Sequence, residues 1–288
     1  MINTKKLILG TVQLGMQYGI NNNIGKPKIQ EAFRILNLAK DSGISMLDTA
    51  ESYGDAIKII GKYHSNETYR FDIISKFKFI PGIDLKKNVE ETIKATHTDY
   101  LFAYLLHDAH FLSENSVKES FVYLKSIGLI KNSGVSIYTN HQFEKAISTD
   151  CIDIIQIPYN ILDNENQRGK LIRQAKLKGK QIHVRSVFLQ GLFFMPEDKL
   201  PKKLYPLKKY LLKINQLCKK FNVSKESAAL NYSVNNNLID GVLTGVDSSF
   251  QLLKNIEATS QKNPAEVTSL INKIIVKEIE LLNPVNWN

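Results

Sequence analysis

Ser45-Met-Leu-Asp48, Phe71-Asp-Ile-Ile-Ser-Lys76 and Tyr100-Leu-Phe-Ala-Tyr-Leu-Leu-His107 are three short apolar runs that each end on a polar or ionisable side chain. Runs of this length and composition read as strands, and the amphipathic, helix-length stretches between them mark βα units of a parallel sheet. If the strands belong to one parallel barrel, their C-terminal ends share a mouth, and Asp48, Lys76 and His107 meet there. Tyr53, five residues past Asp48 in Thr49-Ala-Glu-Ser-Tyr53-Gly54, joins them on the loop that follows.

The same rhythm continues in both directions. Strands are expected near 6–10, 45–48, 71–75, 100–106, 131–135, 152–157, 181–186 and 239–243. Eight such runs favour a closed (β/α)8 TIM barrel over an open sheet. Residues 28–41 place Ile29, Ala32, Phe33, Leu36 and Ala39 on one stripe and end at Gly43, a C-cap signal. Further helices are expected over 84–95, 114–127 (ending at Gly128), 140–147, 164–178 (ending at Gly179) and 249–258. Two additions depart from a bare barrel. The stretch between the seventh and eighth strands exceeds a simple βα connection and holds a Pro-bearing loop, a lysine-rich helix near 206–220 and a Ser224-capped helix near 224–236. A last helix is expected over 263–281, with a short tail around Pro284. No linker, low-complexity tract or longer repeat interrupts the pattern, so residues 1–288 read as one domain.

Composition agrees. A chain of 288 residues suits a barrel of about 250 residues with extras. With 43% hydrophobic and 23% charged residues it reads as a soluble globular fold, and no run approaches the about 20 apolar residues of a membrane span. The amino-terminal apolar run is too short for a secretory leader, and Cys151 and Cys218 form no C-x-x-C pair, so the cytoplasm is the simplest location. The net charge is +10, yet only five of the 38 basic residues are arginines and the lysines are dispersed. That distribution argues against nucleic-acid binding and for a field that draws in anionic small molecules.

Reducing a carbonyl requires a hydride on carbon and a proton on oxygen. A tyrosine supplies that proton more readily if a nearby ammonium favours its phenolate, which makes Lys76 the expected partner of Tyr53. Asp48 can hold Lys76 charged and oriented, and His107 can donate a hydrogen bond to the substrate oxygen. Singly, each residue has a plainer role: Asp48 as a helix cap, Lys76 and His107 as packing or surface groups, Tyr53 as rim cover. Their joint placement at successive strand ends favours chemistry.

Leu9-Gly10-Thr11, Leu47-Asp48-Thr49-Ala50-Glu51-Ser52-Tyr53-Gly54, Ile74-Ser75-Lys76, Leu105-Leu106-His107, Gly134-Val135-Ser136, Gln156-Ile157-Pro158-Tyr159-Asn160 and Leu243-Thr244-Gly245 run through nearly the whole chain. With these motifs the sequence resembles the aldo-keto reductase superfamily. The resemblance implies an NAD(P)H-dependent carbonyl reductase with Tyr53 as general acid, Lys76 and Asp48 as its tuners and His107 as the orienting group. It places Ser136 and Gln156 on the nicotinamide carboxamide. It extends the cofactor site over Gly10, Thr11, Val12, Asp48, Arg185, Ser186, Val187, Leu189, Gly191, Gly245, Val246, Asp247, Ser248, Gln251, Lys254 and Asn255. It implies no metal. The substrate is expected against Val12, Tyr18, Tyr53, His107 and Asp108, with Gln13, Gln17, Phe188 and Gln190 as further liners.

Several positions depart from the family pattern. Ile137 stands where many members carry an asparagine for the carboxamide, and Arg185 where an aromatic commonly stacks on the nicotinamide. No basic residue occupies Gly245-Val-Asp-Ser-Ser-Phe-Gln251, where many members grip a 2′-phosphate. Lys254 with the Ser248 and Ser249 hydroxyls at a helix N-terminus offers one substitute, and Asp247 receiving a ribose hydroxyl offers the opposite reading. Family prevalence points to NADP, with NAD as the alternative. The chain starts almost directly at its first strand, leaving no room for the hairpin that closes the barrel bottom in many relatives. Gly10-Thr-Val-Gln-Leu-Gly-Met-Gln-Tyr-Gly-Ile20 and Arg185-Ser-Val-Phe-Leu-Gln-Gly-Leu192 resemble a bacterial branch associated with surface-carbohydrate pathways, which implies a small-molecule sugar or nucleotide-sugar carbonyl.

Two other classes stay open. One is a nicotinamide-binding regulatory barrel subunit with little turnover. The other is a metal-dependent hydrolase, prompted by His107-Asp108-Ala109-His110, although no H-x-H follows the first strand to complete a ligand set. The oligomeric state, the substrate's stereochemistry and the physiological direction are not encoded in these motifs.

Overall fold

The computed structural model describes residues 4–261 and 263–287, so Met1, Ile2 and Asn3 of the amino-terminal reading lie outside the described residues. Eight parallel strands close on themselves in chain order: β1 (Leu7–Gly10), β2 (Met46–Asp48), β3 (Asp72–Phe77), β4 (Leu101–Leu106), β5 (Ile130–Ser136), β6 (Ile154–Pro158), β7 (Gln181–Arg185) and β8 (Gly241–Gly245). The closing pair sets Gly10 opposite Gly245, and Gly10 also lies opposite Asp48 of β2. The strand expected over 239–243 is thus shifted along the chain. Ile239 turns into the strand, with its N–H donating to the Asn236 carbonyl, before the ladder begins.

Side chains alternate between the two faces of each strand, and this period of two places the site. Ile8, Ile74, Ala103, Leu105, Ile154 and Leu243 fill the barrel interior, whereas Leu9, Leu47, Ile73, Tyr104, Ile155 and Val184 face the surrounding helices. Two residues beyond Ile74, Leu105 and Ile154, each strand reaches the mouth with Lys76, His107 and Gln156. The same parity brings Gly10, Asp48, Ser136, Arg185 and Gly245 to the top interior layer.

The surrounding helices are α2 (Ile29–Asp41), α3 (Ala56–Asn66), α4 (Leu85–Thr96), α5 (Asn115–Ser126), α6 (Asn140–Ile147), α7 (Glu165–Leu177), α8 (Lys208–Phe221), α9 (Lys225–Val234), α10 (Ser249–Ser260) and α11 (Ala265–Ile271). They follow a single turn of helix, α1 (Val12–Gly15), directly after β1. Helix α3 adds to the expected set. Gly43, Gly128 and Gly179 stand just past α2, α5 and α7 with positive φ, as the cap reading anticipated. The stretch after β7 carries three short 3-10 segments before α8 and α9.

The continuous helix expected over 263–281 is not present. Helix α11 stops at Ile271 because Asn164 Nδ2 donates to the carbonyls of both Ile271 (3.0 Å) and Ile274 (2.9 Å), and Tyr232 OH donates to Asn272 Oδ1 (2.5 Å). The Asn164 bonds take backbone carbonyls that would continue the helix, the Tyr232 bond fixes the Asn272 side chain, and Ile274 and Val276 turn inward instead. The tail ends in 3-10 turns at Ile279–Leu282 and Pro284–Trp287. Among the described residues, no helix is long and apolar enough to cross a membrane.

Candidate active site

The strand ends assemble as the parity requires. Lys76 is 1% exposed and forms a short ion pair with Asp48 Oδ1, and its ammonium also donates to the Thr49 carbonyl (3.0 Å). Its third partner is Tyr53 OH, at 3.5 Å. Gln156 Nε2 donates to the other carboxylate oxygen, Asp48 Oδ2, at 2.8 Å. A buried ion pair persists only when its remaining lone pairs and protons are satisfied, and here Gln156 and Thr49 supply that satisfaction. The His107 ring lies edge-on to Tyr53, with centroids 6.0 Å apart and an interplanar angle of 79°.

Tyr53 is held by a close contact between two turns. Gly54 has φ +53°, and a Cβ there would come within 2.6 Å of the Gly15 carbonyl oxygen. A Cβ on Gly15 would in turn come within 1.8 Å of the Tyr53 carbonyl oxygen. Only glycine fits either position, so α1 seats directly under the tyrosine loop. The Asp55 N–H donates to the Gly15 carbonyl and fastens the contact.

The electrostatics correct the expectation of an acidified phenol. Burial, and then the Asp48 carboxylate, push the Tyr53 pKa well above the ordinary tyrosine value, and the Arg185 guanidinium opposes them. The Lys76 charge is engaged first by Asp48, so its pull on the phenol does not offset burial in the resting site. Burial also lowers the Lys76 ammonium from its ordinary value, with Asp48 opposing. Burial, then Lys76 and Arg185, lower His107 to about 4. The imidazole is therefore neutral near pH 7, and its Nδ1 is buried without a partner.

These groups stand at one end of a cavity of about 800 Å3. Its wall includes Gly10, Thr11, Val12, Gln13, Tyr18, Asp48, Tyr53, His107, Ser136, Gln156, Arg185, Ser186, Val187, Phe188, Gln190, Gly191, Gly245, Asp247, Gln251, Lys254 and Asn255, as the sequence reading placed them. Lys76 is sealed behind Asp48 and Tyr53. Five expected contacts lie off the wall. Leu189 and Val246 point into the core, 0% and 1% exposed. Ser248 caps α10 by accepting from the Gln251 N–H (3.2 Å), and Asp108 caps the 3-10 turn Ala109–Ser113 by accepting from the His110 N–H (3.0 Å). Gln17 is exposed and away from the wall. Among the described residues no cluster of three metal-ligating side chains forms, at His107 and His110 or elsewhere.

Arg185 donates from Nη2 to the Ile137 carbonyl (2.9 Å) and from Nε to Ser136 Oγ (3.3 Å), and its guanidinium lies 4.2 Å from the Tyr138 ring centroid. Ile137 itself is buried in the core, so position 137 offers no side-chain polar group to the cavity. Sequence reasoning missed Tyr138, Asn21, Asn22, Thr244 and Phe250, all on the wall, which the tail also reaches with Pro284 and Val285. The only local signal for the first was an aromatic two residues past a strand-end serine.

The loop after β1 ties across the cavity rim. The Ile20 N–H donates to the Gln190 carbonyl (3.1 Å) and Gln190 Nε2 to Tyr18 OH (2.9 Å), which joins it to the loop after β7. Asn22 Nδ2 donates to Asp247 Oδ1 (3.0 Å), which joins it to the loop after β8. Ser186, Leu189 and Gln190 all have positive φ, a concentration of strain typical of ligand clamps.

A nicotinamide dinucleotide fits this cavity by one direct test. Gln156 Oε1 and Gln13 Oε1 are buried acceptors without partners, and Gln156 belongs to the wall beside Asp48. A carboxamide NH2 supplies the donors they lack.

Comparison with known proteins agrees with this geometry. Residues 6–276 match the aldo/keto reductase family. No curated protein matches the chain. The aldo-keto reductase AKR11C1 from Bacillus halodurans, solved in its holo form, is 21% identical, with 95% of this chain and 94% of that one covered at a TM-score of 0.75. The glycerol dehydrogenase AKR11B4 from Gluconobacter oxydans is 18% identical, with 93% and 90% covered at 0.73. The thermostable aldo-keto reductase Tm1743, solved with the inhibitor epalrestat, is 24% identical, with 93% and 94% covered at 0.71. The family match over most of the chain, on a closed barrel with these residues at its mouth, establishes that this chain belongs to the aldo/keto reductase family of nicotinamide-dependent oxidoreductases.

Proposed function

We propose that this single-domain barrel, residues 1–288, reduces the carbonyl of a small aldehyde or ketone to an alcohol, with Tyr53 as the proton donor. The observation that carries the reading is the placement of Tyr53 OH at 3.5 Å from Lys76 Nζ and beside the His107 ring at one end of the cavity. When bound, a reduced nicotinamide supplies the hydride. His107, neutral, donates a hydrogen bond that fixes the carbonyl oxygen. As charge develops on that oxygen, Tyr53 releases its hydroxyl proton to it, and the Lys76 ammonium stabilises the phenolate left behind. Asp48 and Gln156 hold Lys76 in place. The wall sets amide and hydroxyl groups (Gln13, Tyr18, Asn21, Gln190) among apolar side chains such as Phe188, Phe194 and Val285, and these hydrogen-bonding groups support a polar substrate, a sugar or nucleotide-sugar carbonyl.

Loss of reduced-nicotinamide absorbance with a panel of aldehydes, ketones and sugar carbonyls tests the reading. Tyr53→Phe is expected to lower kcat by about 10²–10⁴-fold while cofactor still binds. Tight cofactor binding without turnover of any carbonyl, unchanged by Tyr53→Phe, would leave a regulatory nicotinamide-binding barrel instead.

A further inference from the structure

The two ends of the cavity differ in charge. With the reacting ring beside Tyr53 and His107, a dinucleotide's adenosine occupies the far end, where Asp247, Phe250, Gln251 and Lys254 form the wall. Arg185 and Lys254 are the only cations among the described residues of that wall. Arg185 stands at the catalytic end. Lys254 Nζ is already paired with Glu257 at 2.9 Å.

The α10 N-terminus, the alternative phosphate receptor, is filled from within the protein. Glu31 Oε1, reaching over from α2, accepts both the Ser249 N–H and the Ser249 hydroxyl at 2.7 Å. The Gln251 N–H is capped by Ser248 Oγ, and the Leu252 N–H goes to the Ser248 carbonyl. Glu31, whose other oxygen accepts from Arg34 Nη1 (3.0 Å), thus occupies the anion's place at that helix end. Beside it, Asp247 keeps one oxygen on Asn22 Nδ2, while the other has only a long contact of 3.4 Å from Gln251 Nε2. A half-engaged carboxylate on the wall is an acceptor for a hydroxyl and a repulsive neighbour for a phosphate dianion.

We propose that the far end of the cavity is built for an adenosine with a free 2′-hydroxyl, so that this enzyme takes NAD(H) in preference to NADP(H), with Asp247 as the discriminating residue. The inference rests on the dinucleotide reading above and reverses the preference expected from family prevalence. Asp247 accepts the hydroxyl. A 2′-phosphate there would meet the Asp247 carboxylate, while Lys254, the one cation at this end of the described wall, is shared with Glu257.

Binding of NADH and NADPH to the intact enzyme tests this without turnover, read by quenching of Trp287, the chain's one tryptophan, which lies two residues past Val285 on the cavity wall. NADH is expected to bind at least about tenfold tighter than NADPH, a difference that one like-charge contact readily supplies. In competition, 5′-AMP is expected to displace NADH at lower concentration than 2′,5′-ADP. Asp247→Asn keeps an acceptor for Asn22, removes the charge and is expected to narrow the NADH:NADPH ratio at least several-fold. NADPH binding as tightly as NADH, with 2′,5′-ADP equal to or better than 5′-AMP, overturns this inference and leaves the reductase reading intact. Failure of both dinucleotides to bind overturns both. If Asp247→Asn does not fold, the wild-type comparison of the two mononucleotides decides alone.

Discussion

Tyr53 and His107 differ from free residues of their kinds in opposite directions, and both shifts keep their resting protonation states fixed near neutral pH. Burial holds the phenol protonated, and burial with three neighbouring cations, Lys76, Arg185 and Lys78, holds the imidazole neutral down to about pH 4. Neither group therefore titrates between pH 6 and pH 9 (roughly the range around an unperturbed histidine and below an unperturbed tyrosine). The expected outcome is a flat kcat/KM for carbonyl reduction across that span, measured with one aldehyde at fixed ionic strength. An inflection near the ordinary histidine value would show that His107 gains a proton in the working enzyme and would remove it as a neutral donor. The convergence of these residues was legible in the sequence, because three polar side chains at successive strand ends and a tyrosine on the loop after the first of them leave a strong trace. Their protonation was not. Whether Lys76 acidifies Tyr53 depends on where its charge is turned, and the bond to Asp48 decides that only in three dimensions.

Among the elements, those with a period of their own were readable and those governed by distant partners were not. The strands and helices of the barrel follow local alternation and stripes, with caps at Gly43, Gly128 and Gly179. Helix α11 ends early because Asn164, remote in sequence, takes backbone carbonyls that would continue it, and Tyr232 fixes the Asn272 side chain. Leu189 and Val246 were expected in the cofactor site from their place in the motifs, but their apolar side chains turn into the core. The pairing of α1 with the tyrosine loop has the sharpest consequence at this scale. Gly15→Ala puts a methyl into the Tyr53 carbonyl and forces the loop outward, and a displacement of about 1 Å costs about 10²-fold in rate. We expect that loss in kcat, with circular dichroism and dinucleotide binding nearly unchanged. Unaltered turnover in Gly15→Ala would mean that Tyr53 is positioned by something other than this contact.

For the molecule as a whole, the barrel interior sets the response to acid. His183, on the inner face of β7 below Arg185, has its Nδ1 buried without a partner, and burial lowers it to about 4 from an ordinary 6.5. Below pH 6.5 the unfolded chain takes up a proton that the folded chain refuses. Stability from this group is therefore complete above the unfolded value, declines as pH falls through the interval, and levels off below about 4. The total is about 3 kcal/mol. Thermal unfolding is expected to drop more steeply between pH 7 and pH 5 (roughly the upper part of this window) in the wild type than in His183→Met. Equal slopes would place the acid sensitivity elsewhere. No motif marked His183, since a histidine inside an apolar strand looks the same in sequence whether or not a partner awaits it.

The ties from Tyr18, Ile20 and Asn22 to the β7 and β8 loops bridge strands at opposite ends of the chain. On the proposed reading, a dinucleotide lying across the rim leaves only when these bonds open, and departure of the spent coenzyme is then expected to set the pace of the cycle. Good substrates of different reactivity should share one kcat and differ only in kcat/KM, and rapid mixing should show a burst of the first turnover. Asn22→Ala should raise that common ceiling, and its failure to do so would show that the bridge opens faster than the cycle needs.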